Sequence, residues 1–320
     1  MKKRTRRTRK IREGQLFLLF VCLAIALFLL IWHTYGKRPE VSARAAILID
    51  ARSGEVIYAK DTDTPYPVAS MSKMMTEYLV LEHIRNGALT WEEHVTVSRK
   101  AAHTTGASIA IQAGDQLRVR DLFIGMALPS ANNAAVALAE HIAGSETEFV
   151  RMMNNKAREL GLSSYTQFVN ATGLTEEATG RNTMMTAADV AALAFHLVND
   201  FPEILDYSAV QAYELEFRDL SVFSTNDMLH STNPSYHVQG LDGLKTGYTA
   251  AAGYCFTGTA ARDGKRLISV VMGSPTTEAR FMDTKALMSY GYHDSPSLSY
   301  YIHRLFSRAQ STWVQIGRLS

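Results

Sequence analysis

The chain has 320 residues, which is enough for one large domain or two small ones with a substantial buried core. Its 47% hydrophobic and 20% charged residues are typical of a globular protein and exclude a disordered one. The first 38 residues hold ten Lys/Arg and one acidic residue, so the remainder, with 23 basic and 30 acidic residues, carries a net charge of −7. That charge argues against a nucleic-acid-binding body.

The N-terminal segment predicts a membrane anchor. A basic leader at residues 1–14 precedes a transmembrane signal-anchor at 15–33, which includes 17 consecutive residues without a charge. Eight basic residues before the apolar run, against Lys37 and Arg38 after it, orient the N-terminus to the cytoplasm. The alternative is a cleaved secretory signal, for which Val41–Ala43 resembles a cleavage site, although it lies well beyond the apolar run. Both interpretations export the body, and we expect a single-pass protein of the cell membrane with its body on the extracytoplasmic side.

A tether at residues 34–44 leads into a body whose hydrophobic pattern changes from strand-like to helical and back. The first predicted element is a hairpin of Ala45–Asp50 and Glu55–Lys60, and Pro65 and Pro67 end this extended segment. Predicted helices follow from Ser70 to about Ile84 and at 120–128, 132–144, 145–161 and 186–198. The last predicted elements are a hairpin within 253–273 that turns at Asp263–Gly264 and a helix from about Glu278 to Tyr290. Ser145 with Glu148, and Thr186 with Asp189, are typical of helix N-termini.

Strands at both ends of the chain with helices between them predict an α+β domain. We expect an antiparallel sheet built from both chain ends with a mainly helical insert, all within a domain of residues 45–295. The remaining residues 296–320 form a short C-terminal amphipathic tail. We expect this tail to pack on the domain, and the alternative is that it lies on the membrane surface.

Three short motifs carry the chemistry. Ser70 and Lys73 stand three apart on one face of a predicted helix, so the amine can contact the hydroxyl. Ser130 and Asn132 lie at the start of another helix, and Lys245–Gly247 lies on a predicted strand. Singly, these residues are more often helix caps, solvated lysines or residues of a sheet edge. Together and in this order, S-x-x-K, S-x-N and K-T-G are the active-site set of serine penicillin-binding proteins and β-lactamases.

The similarity extends beyond the motifs. From about Ala45 to Tyr292 the chain resembles the D-alanyl-D-alanine carboxypeptidases, the low-molecular-mass serine penicillin-binding proteins. The segments that carry this resemblance are ILIDARSGEVIYAKD, IAIQAGDQLRVRDLFIGMAL, LDGLKTGYTAAAGYCFTGTA and KRLISVVMGS. The resemblance implies a β-lactamase/penicillin-binding-protein-like fold. A class A β-lactamase would carry E-x-x-L-N between the second and third motifs, and the absence of that pattern disfavours the lactamase alternative.

Peptide acyl transfer needs a nucleophile, a proton acceptor, a proton donor and donors for the developing oxyanion. The predicted catalytic residues are Ser70 as nucleophile, Lys73 as general base and Ser130 as proton relay to the leaving amine. The predicted substrate-binding residues are Asn132, Lys245, Thr246, Gly247, Tyr248 and Arg280. By resemblance, Lys245, Thr246 and Arg280 hold the terminal carboxylate, and the N–H groups of Ser70 and Tyr248 form the oxyanion hole. A surface arginine is the alternative for Arg280.

We therefore expect a membrane-anchored, exported serine D-Ala-D-Ala carboxypeptidase that removes the terminal D-alanine from peptidoglycan stem peptides through an acyl-enzyme on Ser70. Its expected partners are stem peptides ending in D-Ala-D-Ala, β-lactam antibiotics as inhibitors, and membrane lipid through the N-terminal helix, but no nucleic acid. The motif set requires no metal and no other cofactor. The alternatives are a catalytically weak wall-binding or regulatory homologue, a D,D-endopeptidase and a β-lactamase.

Two residues depart from the family pattern close to the motifs. Asn133 stands where many relatives have Asp, and Thr172 stands where family members often have His. Neither residue belongs to the minimal machinery. Because both positions lie near it in the family, the family's rate and substrate preference do not transfer directly to this chain.

Overall fold

The computed structural model describes four segments of the chain, residues 20–25, 38–176, 178–230 and 233–293. Its strands are β1 (Ala45–Asp50), β2 (Val56–Lys60), β3 (Tyr66–Pro67), β4 (His94–Thr96), β5 (Gln116–Arg118), β6 (Met184–Met185), β7 (Ala212–Leu215), β8 (Leu220–Phe223), β9 (Leu241–Thr249), β10 (Gly253–Arg262) and β11 (Lys265–Ser274). Its helices are α1 (Lys73–Arg85), α2 (Arg99–Ala102), α3 (Val119–Ala127), α4 (Asn132–Ala143), α5 (Glu146–Glu159), α6 (Ala187–Asp200), α7 (Ile204–Ser208), α8 (Asp227–His230) and α9 (Thr277–Gly291). Single 3₁₀ turns lie at Ala69–Ser72 and Phe217–Asp219.

The five longest strands form one antiparallel sheet in the order β2-β1-β11-β10-β9. Strand β1 is an interior strand, because Ile47 lies opposite Ala59 of β2 on one side and opposite Val270 of β11 on the other. The N-terminal hairpin of β1 and β2 thus pairs, through β1, with the C-terminal three-stranded meander of β9, β10 and β11. Helices α1 to α8 are inserted between these two parts. The predicted α+β fold, with a sheet from both chain ends and a mainly helical insert, is confirmed.

Helices cover both faces of the sheet. Alternate residues of each strand point to opposite faces, so both faces carry apolar side chains that need to be buried. On one face, Ile47 and Val270 belong to the main hydrophobic core, and α6 contacts β1 and β11 there. On the other face, Leu48 and Val271 pack in a second core with Phe281 of α9. The edge strand β9 contacts the 3₁₀ turn that precedes α1. This contact brings the third motif next to the first.

Helices and strands begin and end at the polar caps and turn residues that the sequence predicts. The Ser145 hydroxyl accepts a hydrogen bond from the N–H of Glu148 at the start of α5, and the Thr186 hydroxyl accepts one from the N–H of Asp189 at the start of α6. Helix α4 ends before Gly144, which has a left-handed backbone with φ of +76°. Both residues of the predicted Asp-Gly turn between β10 and β11 also have positive φ. These predictions are confirmed.

Several short strand pairs are not evident from the sequence. Strands β4 and β5 pair, as do β7 and β8, and β3 pairs with β6 across more than a third of the chain. Pro67 therefore lies within a two-residue strand, opposite Met184, besides ending the extended segment. Pairings of two to four residues are too short to leave a period in the sequence, which explains why they were not predicted.

The chain enters the domain against α9. The Asp283 carboxylate accepts hydrogen bonds from the N–H and hydroxyl of Ser42, both at 2.8 Å, and from the N–H of Ala43 at 2.9 Å. These bonds fix the start of the domain to its last helix. They join residues that lie 240 or 241 positions apart in sequence.

The predicted membrane anchor lies largely outside the described residues. Of its span, only residues 20–25 are described, and these are helical. Among the four described segments, no helix combines the length and the apolar character needed to cross a membrane. The basic leader, the rest of the span and the tail 296–320 fall outside those segments. The predicted boundaries at 14, 33, 44 and 295 stay predictions.

Candidate active site

Ser70 lies in the 3₁₀ turn immediately before α1, and β9 packs directly on that turn. Gly247 of β9 shows how close the approach is, because a Cβ added there would lie 2.9 Å from the carbonyl oxygen of Val68 and 3.2 Å from the nitrogen of Ser70. A side chain at this position would push the strand away from the turn. The glycine of the K-T-G motif therefore allows contact between β9 and the backbone of the Ser70 turn.

Lys73 begins α1 and is completely buried. Its Nζ lies 3.0 Å from the Ser70 Oγ, 2.6 Å from the Asn132 Oδ1 and 2.7 Å from the carbonyl oxygen of Thr172. Burial, together with the positive charge of Lys245, lowers the pKa of Lys73 well below its ordinary value, although Glu77 opposes the shift. A neutral amine has two N–H groups and one lone pair. The two fixed oxygens, of Asn132 and Thr172, accept the N–H groups, which leaves the lone pair directed at the Ser70 hydroxyl.

The second motif occupies the loop that leads into α4. The Asn132 side chain is held at both ends, because its Nδ2 donates to the carbonyl of Thr105 at 2.8 Å and its Oδ1 accepts from Lys73. Ser130 is buried, with a left-handed backbone at φ of +64°, which is uncommon for a serine. Within the described residues its hydroxyl has no hydrogen-bond partner. A strained residue with an unpaired buried hydroxyl fits a group kept for a substrate atom.

Lys245 and Thr246 belong to β9, the strand that packs on the Ser70 turn. Lys245 is 1% exposed, and its Nζ has no hydrogen-bond partner within the described residues. Burial lowers the pKa of Lys245 to about 8; Glu77 opposes this shift and Arg280 adds to it. The Thr246 Oγ1 lies 2.6 Å from the Thr225 Oγ1. A buried ammonium without an acceptor is poised for an anionic ligand.

Arg280 of α9 is buried, so the surface alternative is wrong. Its Nη1 donates to the carbonyl of Gly247 at 3.4 Å, and its guanidinium lies 5.7 Å and 4.6 Å from the ring centroids of Tyr254 and Phe281. Burial lowers its pKa, but a guanidinium stays charged in proteins. Its Nε has no partner among the described residues. Arg280 thus brings a second cation to the strand that holds Lys245.

Tyr248 follows the K-T-G motif and lies at the surface of the site. Its side chain is 54% exposed and stacks on Tyr254, with the ring centroids 4.4 Å apart. The predicted role of Tyr248 concerns its backbone N–H, which follows directly after the glycine that borders Ser70. The side chain itself contributes an aromatic surface at the entrance.

The sequence matches one protein family over most of its length. Residues 33–276 fit the family described as D-alanyl-D-alanine carboxypeptidase, peptidase S11. The chain belongs to the D-alanyl-D-alanine carboxypeptidase family. Membership confirms the predicted enzyme class, a serine-type carboxypeptidase, and it confirms the resemblance inferred from the three motifs.

Individual proteins are similar to this chain in sequence or in structure. D-alanyl-D-alanine carboxypeptidase DacF of Bacillus subtilis is 34% identical over 282 residues, which cover 86% of this chain and 68% of DacF. DacC of Escherichia coli is 36% identical over 262 residues, which cover 80% of this chain and 62% of DacC. Penicillin-binding protein D2 of Listeria monocytogenes, solved in an ampicillin-bound form, is 39% identical with a TM-score of 0.71 over 79% of this chain and 98% of that protein. The chain thus spans about two thirds of the length of the two carboxypeptidases.

Glu77 belongs to the site but was not among the predicted residues. It lies one helical turn beyond Lys73 on α1 and is only 3% exposed. Burial raises its pKa to about 7, and the charges of Lys245 and Lys73 oppose that rise. The signal available in the sequence was the four-residue spacing from Lys73, which places both side chains on one helix face.

The structure gives the two departures from the family pattern definite contacts. Thr172 holds Lys73 through its backbone carbonyl, so this contact does not depend on the side-chain type. The Asn133 amide accepts from the N–H of Ile109 at 3.2 Å and donates to the carbonyl of Ile109 at 2.8 Å. An aspartate could not make the second bond while ionised. Asn133 therefore holds the segment between α2 and β5 to the start of α4, and these bonds do not reach the reacting groups.

A cavity of about 680 Å³ adjoins the site on the side of α2 and α5. Thr105 and Thr172, whose carbonyls hold Asn132 and Lys73, lie on its wall. The wall also contains ion-paired side chains at Lys100–Glu146 and Glu176–Arg181, together with His103 and several hydroxyl and amide groups. Within the described segments, no group of three or more His, Cys, Asp or Glu side chains could hold a metal ion.

Proposed function

We propose that this protein is an exported, membrane-anchored serine D-Ala-D-Ala carboxypeptidase that removes the terminal D-alanine from peptidoglycan stem peptides. The observation that carries the proposal is the placement of Lys73, which lies 3.0 Å from the Ser70 Oγ with its other hydrogen bonds directed to Asn132 and Thr172. A serine with a buried, neutralisable lysine at this distance is an activated nucleophile. The family assignment supplies the substrate class.

In the acylation step, the Ser70 Oγ attacks the carbonyl carbon of the D-Ala–D-Ala amide while its proton moves to the Lys73 Nζ. The oxyanion that forms is stabilised by the backbone N–H groups of Ser70 and Tyr248. Collapse of the tetrahedral intermediate breaks the C–N bond, and the leaving nitrogen takes a proton relayed by the Ser130 hydroxyl from Lys73. D-alanine leaves, and an ester on Ser70 remains.

In the second step, water attacks the ester carbon with Lys73 as the proton acceptor. The C–O bond to Ser70 breaks, and the Ser70 oxygen recovers a proton. The shortened stem peptide leaves with a new carboxylate. The cycle needs no group other than water and the residues already described.

Substrate orientation follows from the unpaired cations. The terminal carboxylate of the peptide binds at the Lys245 ammonium and the Thr246 hydroxyl, with Arg280 behind them. The remainder of the stem peptide extends toward the cavity beside Thr105 and Thr172. In this orientation the scissile carbonyl lies between Ser70 and the N–H of Tyr248.

A β-lactam would follow the same first step, since its ring amide and carboxylate imitate the two ends of the D-Ala–D-Ala unit. The opened lactam stays attached to its leaving nitrogen and hinders water. The chain also lacks an E-x-x-L-N glutamate that would activate water. We therefore propose a long-lived penicillin adduct, which separates this function from that of a β-lactamase.

Membrane attachment is proposed from the sequence alone. Burial of a 17-residue apolar helix in a bilayer is insensitive to salt, unlike adsorption of the basic leader. Full-length protein should stay with membranes after a high-salt wash. Release of a soluble form that begins near Arg44 would instead identify Val41–Ala43 as a cleavage site.

Activity is tested with the full-length protein in detergent, incubated with labelled penicillin and with a peptide ending in D-Ala-D-Ala. Wild type should form a covalent adduct and release D-alanine, and Ser70→Ala should do neither. Ser164→Ala is the matched control, because Ser164 is an exposed serine in a turn outside the site and its loss should leave both reactions intact. A wild type that binds penicillin but releases no D-alanine would favour a wall-binding or regulatory role. Absence of any adduct would refute the site.

A further inference from the structure

Glu77 places a carboxylate inside the catalytic centre. It lies four residues after Lys73 on α1, so both side chains project from one helix face. Lys73, Glu77 and Lys245 are exposed by 0%, 3% and 1%, respectively. Ionised groups buried to this extent need compensating charge nearby. Glu77 takes no part in the proposed acylation and hydrolysis steps, although it is buried among the residues that perform them.

The charges of the catalytic centre come from three elements. Helix α1 supplies Lys73, strand β9 supplies Lys245, and helix α9 supplies Arg280, which acts on Lys245. Within the described residues, Glu77 is the acidic side chain that favours the charged form of both lysines.

The other helices that pack on α1 direct their charges elsewhere. Helix α4 presents the neutral Asn132 to Lys73. Lys156 of α5 pairs with Glu82, and Asp200 of α6 accepts a hydrogen bond from Tyr78, both beyond Glu77 along α1. Helix α3 also packs on α1, and its charges are paired, Asp121 with Arg118 and Arg120 with Glu92. Among the described charges, those that act on Glu77 are therefore the two lysines.

The proposed reaction needs the two lysines in different protonation states. Lys73 must be neutral to accept the Ser70 proton, whereas Lys245 must be an ammonium to bind the substrate carboxylate. One ionised carboxylate compensates one ammonium. With Glu77 ionised, Lys245 charged and Lys73 neutral, these three side chains together have no net charge before the substrate arrives.

We propose that Glu77 is a positioning residue of the catalytic centre, the shared counter-ion that keeps a single ammonium between Lys73 and Lys245 and so sets the pH range in which the centre works. This inference rests on the proposed function. It assigns to the Ser70 reaction a residue outside the three motifs. The directions of the pKa shifts agree with this role. Burial raises the pKa of Glu77 to about 7 and lowers the pKa of Lys245 to about 8, so both groups titrate near neutral pH.

The test is the pH dependence of penicillin acylation, measured as a second-order rate constant on full-length Glu77→Gln. A carboxylate stabilises the protonated form of each lysine, so its removal lowers the pKa of both. Both limbs of the profile should therefore move to lower pH, by about one unit or more. Glu77→Asp, which keeps the charge farther from the lysines, should shift the limbs in the same direction by less. Glu82→Gln on the same helix is the control and should leave both limbs in place.

The outcomes separate this inference from the proposed function. Wild type that forms no adduct at any pH would overturn both. A folded Glu77→Gln that is slower at every pH but has unmoved limbs would show a purely structural role and overturn the inference alone. Gln has the shape of the protonated carboxyl that the wild type itself holds at low pH, so folding is expected and is checked by circular dichroism. Should Gln fail to fold, Glu77→Met removes the same charge, and unmoved limbs there would again overturn the inference.

Discussion

The two buried lysines of the active site differ in their surroundings. Lys73, at the start of α1, contacts three oxygens that the fold itself provides. Lys245, on the edge strand β9, has no hydrogen-bond partner within the described residues, although it is buried to the same degree. The helix region is therefore complete before substrate binds, whereas the strand region is completed by the substrate. Loss of the first lysine should affect chemistry, and loss of the second should affect recognition.

Replacement of Lys73 should give the largest effect. Lys73→Met removes the proton acceptor from Ser70, and loss of a general base costs about 10²–10⁴-fold in rate. Stopped-flow acylation by a fluorescent penicillin measures this directly. Lys156→Met, which removes a lysine from α5 that pairs with Glu82, is the control and should acylate at the normal rate. Acylation of Lys73→Met within a few-fold of wild type would refute the assignment of Lys73 as base.

Replacement of Lys245 should give a smaller effect that depends on the substrate. A hydrogen bond to a charged group contributes about 1.5–3 kcal/mol, so Lys245→Met should lower kcat/KM for a D-Ala-D-Ala peptide by about ten- to hundred-fold. For the same peptide with its terminal carboxylate amidated, wild type and variant should be equally slow. If the variant lost the same factor on both peptides, Lys245 would act on the chemistry and the contrast with Lys73 would fail.

The pH dependence should distinguish the two lysines without any substitution. Lys245 is charged below its pKa of about 8 and loses the charge above it. Burial and the charge of Lys245 lower the pKa of Lys73 well below its ordinary value, which favours the neutral amine that the base role requires. For a carboxylate substrate kcat/KM should therefore fall as the pH rises through about 8. Bound carboxylate stabilises the ammonium, so kcat should hold to a higher pH. Identical basic limbs in kcat and kcat/KM would contradict this assignment.

Asn133 should give the smallest effect, and on stability rather than chemistry. Asn133→Asp loses the donor to the Ile109 carbonyl and buries a charge, which should lower the free energy of unfolding by about 1–3 kcal/mol. Denaturant unfolding provides the measurement, with Asn155→Asp on α5 as a control that should change it by about 0.5 kcal/mol or less. The rate of acylation per folded molecule should stay within a few-fold of wild type. A large loss of rate without loss of stability would place Asn133 in the machinery.

Much of this contrast could be predicted from the sequence, because the motifs are local. Ser70 and Lys73 share one helix, so their contact follows from helix geometry alone. Assembly of Lys73 with Asn132 and Lys245 required the family resemblance, because helix and strand periods do not indicate which distant elements meet. The fold class followed from the order of strand-like and helical patterns.

Other features depend on tertiary contacts and could not be predicted. Glu77 looks like an ordinary helix glutamate until the burial of α1 and the position of β9 are known. The Lys73 contact with Thr172 goes to a backbone carbonyl, which leaves no trace in residue type. Arg280 could not be assigned to surface or interior, since α9 shows no clear polar face. In each case the deciding contact joins residues that are distant in the chain.

The interior position of β1 has a consequence for folding kinetics. Ile47, from the first strand made, is flanked on one side by Val270, from the last strand of the sheet. The sheet cannot close until nearly the whole domain has been synthesised, and loop-closure entropy of this size makes folding slow. During that interval β1 has an unpaired edge and exposes apolar side chains that favour aggregation. For a chain proposed to be exported, the same topology keeps the sheet incomplete until its last strand has left the ribosome, so the timing of sheet formation is set by the position of one strand.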